Sequence, residues 1–483
     1  MFNAFSYVSN KWVWAVSILV NFIICNTVNY IFTSINKSLY KKFFVFAFIL
    51  LTYYTIFINS NYLNDEKIDN NYMNCVKAED AKNWVLYDEA ESIKEYKDKI
   101  NDKTFSRYDT DYEDWNNGML KETPNISYYW TLSNKYLVDF KKTLYDRESW
   151  INVFTNYDNR IILDALSLVK YYVHDKNKPL SIKNIKRVWE NNGFDIFEKQ
   201  NFLDISYVYN KFIKRTDFDK LNIGEKEIIL LNTCVLNENA NTKFINTYSF
   251  DFSKSLILFE QKDGYLNTKL DNNYISIAVD NAKINNQNYE YTLVFENLNY
   301  IGKEEATNLS IFGDNDYLNN IVYHNKTHQH YTDTHNFAVN LKKDMIDNIT
   351  IFFDEKGEYT YDSLYLIALP IDYINESLNK LKETVVNNIT VNKDSLSGEV
   401  YANEDGMLVF SIPYTKFWKV IIDGKEVEYF NANLKNIGIY IHKGRHDVKI
   451  VYKNTLFDIG VIVSIIILAI FIVKETLIKC NIS

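Results

Sequence analysis

Long apolar stretches without charged side chains occur near both ends of the chain. They run from Trp12 to Phe32, from Phe43 to Ile58 and from Phe457 to Val473, with Asp458 at the edge of the last. An apolar helix of about 20 residues crosses the hydrocarbon core of a bilayer. The pattern therefore predicts a membrane protein with three transmembrane α-helices, the third assigned to residues 456–474, and a lipid bilayer as its first partner.

Lysines beside these stretches indicate how the predicted helices are oriented. The short loop between the first two stretches carries three of them: Lys37, Lys41 and Lys42. Lys474 and Lys479 follow the third stretch, and residues 475–483 form the tail. Because short basic loops stay in the cytoplasm, we expect a multi-pass cell-membrane protein with this loop and the C-terminus inside. The N-terminus and the bulk of the chain, from Asn59 to Leu456, are then outside.

After the first two stretches (residues 1–60), residues 61–235 mix helical and strand periodicity. Helical spacing of apolar residues predicts helices at three places: Glu89–Ile100, Asn134–Leu144 and Phe218–Leu231. Strands are predicted at Phe194–Tyr209, and the pattern changes from helix to strand within Arg160–Val173. We expect this segment to be an extracytoplasmic mixed α/β domain.

Residues 236–370 alternate short apolar runs with turns rich in Asn, Asp and Gly. The runs have the length of strands: Tyr274–Val279, Tyr291–Phe295, Ile349–Phe353 and Leu364–Leu369. Short strands at this spacing are typical of two packed sheets, so we predict a β-sandwich. Apolar residues at helical spacing then predict a connecting helix at Ile374–Val386. The outer region as a whole is expected to be α+β with a β-sandwich.

A small antiparallel β domain is predicted to follow that helix, within residues 371–455. Apolar and polar residues alternate along Trp418–Ile422, and Asp423-Gly424 favours a two-residue hairpin turn. A second hairpin is predicted between residues 437 and 452, turning near Lys443-Gly444. This β unit leads directly into the third predicted membrane helix.

Composition narrows the possible functions. A formal charge of −9 argues against a nucleic-acid partner, which requires clustered cationic surface. The 38 Tyr and 31 Phe residues favour strands. Only Cys75 and Cys234 fall in the outer region, and their spacing requires neither a disulfide nor a metal. The sequence contains no motif for a phosphate cradle, a catalytic triad or a zinc protease, so no catalytic residue, metal ligand or cofactor is assigned.

Histidines form one local cluster. Within twelve residues lie four of the seven: His324, His328, His330 and His335. On a strand, His328 and His330 would point to the same side, as a metal-binding pair does. The segment is polar and contains no cysteine, so a loop within the sandwich is the preferred interpretation. His446, which follows the Lys443-Gly444 turn, is interpreted as a structural residue whose ring contacts the turn.

Several segments, in order along the chain, resemble the C-terminal half of the bacterial YfhO family, multi-span membrane proteins of the GT-C glycosyltransferase type. The best match is Ser411–Lys425, followed by Lys443–His446 and Tyr452. Further similar segments are Asn3–Trp12, Arg107 with Asp109, Ser127–Asn134, Leu163–Val173, Ile196–Leu203 and Leu221–Val235. The sequence departs from the family pattern at three positions, where a Gly, a Gly and an Arg are usual: Phe417, Ala4 and Lys11.

This resemblance implies a sugar-transfer reaction, and it implies that the part of the family's architecture that carries out the chemistry is missing from this chain. Such proteins transfer a sugar from a polyprenyl-phosphate donor, outside the membrane, to a wall or lipoteichoic-acid polymer. Family members have many more membrane spans upstream, and the acidic residue expected to assist the chemistry lies there. No catalytic residue carries over to this chain. We therefore expect a non-autonomous half: a fragment, a split subunit or a degenerate copy.

Residues 107–115 are the densest group suited to a sugar or phosphate substrate. Carboxylates there could hold a cation, a basic residue could contact phosphate, and an indole could stack on a sugar ring. The candidate substrate-binding residues of this segment are Arg107, Asp109, Asp111 and Trp115. Tyr129 and Trp130 could add an aromatic platform for a glycan. The competing interpretations are a solvated acidic loop with a packing Trp and aromatic filling of the domain, and the carboxylate spacing fits no established metal loop.

Two functions compete at this point. In the first, the chain acts in cell-envelope glycosylation together with a multi-span membrane subunit. In the second, it is a non-catalytic anchor whose outer domains bind polysaccharide or protein, and a truncated remnant is a third possibility. Three asparagines in the first apolar stretch favour the first function, because polar residues in a span face other helices: Asn21, Asn26 and Asn29.

Overall fold

The computed structural model describes residues 89–110, 116–129, 133–146, 153–178, 180, 182, 184–191, 193–237, 249–270, 272–284, 288–392 and 394–480, with separate residues between 30 and 54. The chain divides into two compact units, Met1–Trp84 and Val85–Ser483. In the first unit, the described residues are helical. The predicted membrane helices at residues 12–32 and 43–58 lie largely outside the described residues.

Helices are few in the described part of the second unit. They are α1 (Glu89–Lys99), α2 (Asn117–Leu120), α3 (Lys135–Thr143), α4 (Ile161–Leu166), α5 (Arg215–Phe218), α6 (Ile223–Asn232), α7 (Ile371–Lys382) and α8 (Thr455–Cys480), with a 3-10 turn at Asn281–Lys283. α1 and α3 coincide with predicted helices. Asn134 caps α3, because its side chain accepts a hydrogen bond from the Tyr136 amide at 2.8 Å. α7 begins after Pro370 and ends four residues before the predicted end, because Val385 already belongs to a strand.

Strands account for most of the described part of this unit, which confirms that this part of the chain is β-rich, as predicted. The first are β1 (Arg107–Thr110), β2 (Tyr128–Tyr129), β3 (Val153–Phe154), β4 (Val169–Asp175), β5 (Ile185–Asn191), β6 (Phe194–Lys199), β7 (Ser206–Tyr209), β8 (Phe212–Lys214) and β9 (Cys234–Leu236). Next come β10 (Leu256–Asn267), β11 (Tyr274–Ala278), β12 (Tyr289–Glu296), β13 (Asn299–Gly302), β14 (Ala306–Gly313), β15 (Asp316–His324), β16 (Phe337–Asn340), β17 (Asn348–Phe353) and β18 (Gly357–Pro370). The last are β19 (Val385–Val391), β20 (Ser395–Ala402), β21 (Gly406–Pro413), β22 (Trp418–Ile422), β23 (Lys425–Glu426), β24 (Phe430–Ala432), β25 (Asn436–Ile441) and β26 (Gly444–Tyr452).

Sheet A, in the order β1-β4-β6-β5, forms the upstream layer. β1 and β4 are parallel, whereas β6 runs antiparallel to both β4 and β5. α1 covers this sheet with Ile93 and Tyr96, which pack in one core with Tyr171 and Val173 of β4. β2 and β3 pair separately as a short ribbon.

Two sheets form the sandwich region. Sheet B has the order β10-β18-β12-β16, with β13 also paired to β18, and sheet C has the order β11-β17-β14-β15. Leu293 and Leu366 of sheet B share one buried core with Ile311 and Ile351 of sheet C. The opposite face of sheet B contacts α6: a Cβ on Gly224 would lie 2.9 Å from Ile367, so only glycine permits this close approach.

Sheet D, in the order β19-β20-β26-β22-β23, and sheet E, in the order β7-β21-β25-β24-β9-β8, share a second large core. Val420 and Ile450 enter it from sheet D, and Val409 and Ile439 enter it from sheet E. Sheet E combines strands that precede the sandwich with strands that follow it. The predicted boundary between residues 61–235 and 371–455 therefore does not separate two independent sheets.

The predicted hairpins have different outcomes. β22 and β23 form the first, with Asp423 and Gly424 at φ 51° and 76°, as a two-residue turn requires. The second predicted hairpin is wrong. β25 pairs with β21 and β24 in sheet E, whereas β26 pairs with β20 and β22 in sheet D. Between these strands, at His442 and Lys443, the chain crosses from one sheet to the other.

α8 follows β26 directly and has 26 residues. Its described side chains include several exposed apolar ones, among them Phe457, Ile462, Ile466 and Ile470. Among the described residues, no helix meets both the length and the apolarity that crossing a membrane requires.

Candidate functional site

A cavity of about 110 Å³ lies where sheets A and E, the ribbon β2-β3 and α4 meet. Its polar lining comes from distant parts of the chain: Arg107, Asn125, Tyr128, Tyr157, Ser167, Ser411, Lys435 and Asn436. The apolar lining consists of Ile126, Leu137, Leu166 and Pro413. We call this space the Arg107–Lys435 cavity, because it brings together two cationic side chains.

Arg107 is fixed by backbone groups of two neighbouring elements. Its Nη1 donates to the carbonyl oxygen of Ser167 at 2.8 Å, and its Nη2 donates to that of Ser411 at 3.3 Å. The backbone amide of Arg107 donates to the carbonyl of Leu168 at 2.8 Å. These contacts leave the guanidinium ionised and rigidly held beside the cavity.

Lys435 lies in the turn between β24 and β25 and is almost completely buried, at 4% exposure. Its Nζ donates to the Ser167 hydroxyl at 2.6 Å and to the Tyr157 hydroxyl at 3.0 Å. The same ammonium lies 3.8 Å from the centroid of the Phe140 ring. Leu434, the preceding residue, has φ 70°, a left-handed conformation that is unfavourable for leucine.

The charge of the cavity is not balanced. Four other buried cations of this unit have carboxylate partners: Lys141 with Asp146, Arg160 with Glu227, Lys170 with Asp102, and Lys199 with Asp164. A fifth, Lys226, forms no ion pair among the described residues and donates to the carbonyl of Thr143 at 3.4 Å. Among the described residues, Arg107 and Lys435 form no ion pair. Two cations that share one cavity repel each other, and neither receives compensation from an anion of the described chain.

The pKa values of the lining groups reflect this imbalance. Burial lowers the pKa of Lys435, and the charges of Arg107 and Lys141 lower it further. Burial also lowers the pKa of Arg107. For Tyr157, burial acts to raise the pKa, but Lys435 and Lys141 outweigh it and the pKa is lowered overall. The site therefore favours negative charge, whether on a lining phenol or on a bound group.

This arrangement suits an anion with several oxygen atoms. A guanidinium and an ammonium provide charge-assisted donors, and hydroxyl and amide groups can complete the contacts. The volume accommodates several water molecules or one small anionic group. Of the segments that resemble the YfhO family, four contribute lining residues: Arg107, Ser127–Asn134, Leu163–Val173 and Ser411–Lys425.

The substrate-binding residues predicted from the sequence are only partly brought together. Arg107 lines the cavity, as does Tyr128, the neighbour of Tyr129. Tyr129 belongs to β2, but the structure describes only its backbone. Three further candidates lie outside the described residues: Asp111, Trp115 and Trp130.

Asp109 is buried in a different cluster. It is 1% exposed, and its Oδ1 accepts a hydrogen bond from the Thr110 amide at 2.8 Å. Burial and the nearby charge of Asp164 raise the pKa of Asp109 to about 7, although Lys199 opposes the shift. Asp109 does not line the Arg107–Lys435 cavity.

Sequence reasoning missed Lys435 and Tyr157. Each lies in a stretch with no recognisable motif, and the fold brings them together across 278 positions of sequence. The available signal was weak: Lys435 interrupts a run of residues with the apolar pattern of a buried sheet.

The histidine segment lies at the end of β15 and in the turn after it. The rings of His324 and His328 stack with centroids 4.0 Å apart, and burial lowers the pKa of His324 to about 4. Within the described parts of the chain, no group of three His, Cys, Asp or Glu residues has the geometry of a metal site. Cys234 is a buried free thiol, and Cys75 lies outside the described residues. His446 contacts Asp423 at 2.8 Å, at the β22–β23 turn.

Comparison with known families gives one extensive match. Residues 1–464 match the model of the family described as "Bacterial membrane protein YfhO". The uncharacterized protein YfhO of Bacillus subtilis (strain 168) is 23% identical over 379 residues, which cover 75% of this chain and 43% of that protein. The chain thus spans less than half the length of this relative. The resemblance noted from the sequence is confirmed.

Two solved structures to which the chain is similar match it only weakly. The crystal structure of dimeric latent PorU from Porphyromonas gingivalis is 7% identical, with a TM-score of 0.17 over 57% of this chain and 27% of that chain. A Paenibacillus sp. cycloisomaltooligosaccharide glucanotransferase complexed with cycloisomaltoheptaose is 9% identical, with a TM-score of 0.15 over 48% of this chain and 49% of that chain. At these scores neither similarity supports a conclusion.

Proposed function

Because the chain belongs to the YfhO family of bacterial membrane proteins, we propose that it works in glycosylation of the cell envelope and binds a phosphate-bearing substrate with its outer region. In this proposal the donor is a sugar on a polyprenyl phosphate, and the acceptor is a wall or lipoteichoic-acid polymer. The Arg107–Lys435 cavity holds a phosphate group of one of these molecules.

The observation that carries the proposal is the pair of cations without a carboxylate partner. Removing one partner of a buried ion pair costs about 3–5 kcal/mol, because the remaining charge is left uncompensated. Arg107 and Lys435 have neutral hydrogen-bond acceptors but no carboxylate among the described residues, and a phosphate would supply the missing negative charge. A guanidinium fork matches the geometry of phosphate oxygens, and a lysine adds a second positive charge.

The membrane arrangement is part of the proposal. Three transmembrane helices anchor the chain, at residues 12–32, 43–58 and 456–474, with the large β-rich region outside and the C-terminal tail in the cytoplasm. α8 coincides with the third of these segments, and lipid contact would explain why its described apolar side chains are exposed.

A partner is the last element of the proposal. The sugar-transfer chemistry resides in membrane helices that the family resemblance implies upstream, whether in the same polypeptide or in a separate multi-span subunit. Co-purification from native membranes, with a tag on the C-terminal tail, tests this partner. Recovery of additional membrane spans with an acidic first outer loop, either in a longer form of this polypeptide or in a separate protein, supports the proposal. Recovery of this chain with neither contradicts it.

Phosphate binding can be tested on the full chain in detergent. We expect inorganic phosphate and glycerol phosphate to bind, and Arg107→Met and Lys435→Met to weaken that binding about tenfold or more, as expected for the loss of a hydrogen bond to a charged group. Calorimetry with each probe measures the effect. Polyprenyl phosphate in micelles, tested in parallel, distinguishes a lipid-borne from a polymer-borne phosphate.

Matched controls remove surface cations. Arg445 is exposed and pairs with Glu399, and Lys425 is exposed in β23, so neither contributes to the cavity. Arg445→Met and Lys425→Met should leave phosphate binding unchanged. An equal loss in cavity and control variants would mean that net charge alone attracts the anion and would refute a specific site.

A further inference from the structure

We propose that the outer face of sheet B carries a second binding site, for an uncharged, hydroxyl-rich sugar chain that stacks on Tyr265. The site is a groove of about 520 Å³. It shares no lining residue with the Arg107–Lys435 cavity, and the proposal does not depend on phosphate binding there.

Strand register builds the groove. Tyr265 of β10 pairs with Thr360 of β18, and Thr360 pairs with Asn299 of β13. Side chains directly opposite each other in antiparallel strands lie on the same face. The adjacent positions Tyr300 and Tyr359 point into the sandwich core, so the row Tyr265–Thr360–Asn299 is on the outer face.

An aromatic ring is presented at one side of this row. Tyr265 is 60% exposed, a large value for a residue of a strand in a packed sheet. Its hydroxyl accepts a hydrogen bond from Asn267 at 3.4 Å, which restrains the ring at the groove. The neighbouring pair of the register, Gly264 and Tyr361, faces the sandwich core, so the ring presented on the outer face is that of Tyr265.

Polar groups surround the ring. Asp263 and Asp362 supply carboxylates, and Asn297 and Asn299 supply amides. Asn297 donates to Asp362 Oδ2 at 3.2 Å, which leaves other carboxylate lone pairs available. Sugar hydroxyls both donate and accept hydrogen bonds, so this mixture of carboxylate, amide and hydroxyl groups matches them. An apolar ring beside such groups is the usual composition of a ligand site.

The charge of the groove determines whether a charged or an uncharged glycan fits it. Two carboxylates and one histidine, His335, line it, and no Lys or Arg is among its described lining residues. A phosphate-rich polymer would be repelled here, in contrast to the Arg107–Lys435 cavity. The ligand class that fits is therefore an uncharged sugar chain.

Sheet C offers an internal comparison. Four aromatic rings cross its outer face: Tyr274, Phe352, Phe312 and Tyr317. Phe312 meets Tyr317 at 76° and Phe352 at 87°, so the rings present edges rather than one flat surface. Tyr317 is 58% exposed, which makes it a close match to Tyr265.

The test measures binding of short neutral oligomers of glucose and of N-acetylglucosamine to the full chain in detergent. Tyr265→Ala should weaken binding about tenfold through loss of the stacked ring face. Tyr317→Ala should leave it unchanged, and Tyr265→Trp should retain it. Thermal unfolding of each variant provides a check on folding, which an exposed tyrosine should not affect.

Three outcomes would overturn the proposal: no binding of neutral oligomers by the unaltered chain, equal losses for Tyr265→Ala and Tyr317→Ala, or preferential binding of a glycerol-phosphate polymer through Tyr265. Arg107→Met distinguishes this proposal from the proposed function. It should weaken phosphate binding about tenfold or more and leave neutral-oligomer binding intact, so that either site can fail without the other.

Discussion

Arg160 and Lys435 are both almost fully buried, but their environments differ. Arg160 donates to Glu227 Oε1 at 2.8 Å and to the carbonyl of Leu144 at 2.7 Å, and both charged side chains are essentially inaccessible. Among the described residues, Lys435 contacts hydroxyls and two aromatic rings, those of Phe140 and Tyr157. One cation is structurally paired, and the other is available to a ligand.

This difference predicts opposite effects of removing each charge. Arg160→Met should lower the free energy of unfolding by about 3–5 kcal/mol, because Glu227 is left buried without a partner. Lys435→Met should change it by about 1 kcal/mol or less, because a desolvated charge is removed along with its hydrogen bonds. Denaturant unfolding without phosphate measures both. A loss for Lys435→Met as large as that for Arg160→Met would assign Lys435 a purely structural role.

Asp109 makes stability depend on pH. Its folded-state pKa of about 7 lies above the ordinary value of 3.8, because burial and Asp164 disfavour its charge. Below the ordinary value the carboxyl is protonated in both states and carries no penalty. Between pH 3.8 and about 7, the unfolded chain has released this proton whereas the folded chain still holds it. The free energy of unfolding therefore falls as the pH rises across this interval, and the contribution of Asp109 stays at its lowest value above it.

Asp109→Asn should remove part of that dependence. An amide keeps the acceptor for the Thr110 amide and carries no charge beside Asp164. We expect a rise in Tm near pH 8 and a smaller rise near pH 5, since each unit of pKa difference corresponds to about 1.4 kcal/mol. Asp98→Asn, on the exposed face of α1, is the control. Parallel Tm profiles for the unaltered chain and Asp109→Asn would contradict the raised pKa.

At the scale of elements, α6 connects the sandwich to the remainder of the unit. Its N-terminus is closed by a capping box, in which Asn222 Oδ1 accepts from the Glu225 amide and Glu225 Oε2 accepts from the Asn222 amide, both at 3.0 Å. Gly224, in the first turn, lies against β18. The cap therefore fixes the helix end at the sheet contact.

Asn222→Ala should lower the free energy of unfolding by about 1 kcal/mol through loss of this cap. Asn222→Asp, which retains the acceptor, should be close to neutral. Denaturant titration of both variants measures the difference. If the two substitutions had the same effect, the side-chain hydrogen bond would not be its cause.

Elements with a local signal were predictable, and pairings without one were not. Asp423-Gly424 identified its hairpin, because positive φ at two successive positions has strong residue preferences. β25 and β26 were also recognised as strands. Their alternating pattern shows that each has one buried face, but two facing sheets bury such faces equally well, so the pattern could not assign their partners.

At the scale of the molecule, the proposed orientation places the end of α8 in the cytoplasm. Cys480 ends that helix, and Cys234 is buried in sheet E. In a chain with Cys25 and Cys75 replaced by Ser, an impermeant thiol reagent should label Cys480 only after the membrane is permeabilised. Labelling in intact cells would place the tail outside and refute the orientation.

The candidate site was predictable only in part, for a topological reason. Arg107 stood out because it begins a segment rich in charged residues and resembles a family position. Lys435 and Ser411 reach the cavity only through sheet E, whose strand order places β7 beside β21. Neither periodicity nor composition carries information on a contact between residues 304 positions apart, as Arg107 and Ser411 are.

The set of strands that make up sheet E also determines when this sheet can form during synthesis. β7 meets β21 across about 200 positions of sequence, and the entire sandwich is made between them. Contacts this distant in sequence form slowly. Until they form, the unpaired edges of the early strands promote aggregation. The sandwich can fold as soon as it is made, whereas β7, β8 and β9 remain without their central partners until residue 441 has been made. A nascent chain halted before that point would contain the Tyr265 groove and lack the Arg107–Lys435 cavity, whose lining includes residues 411 and 435.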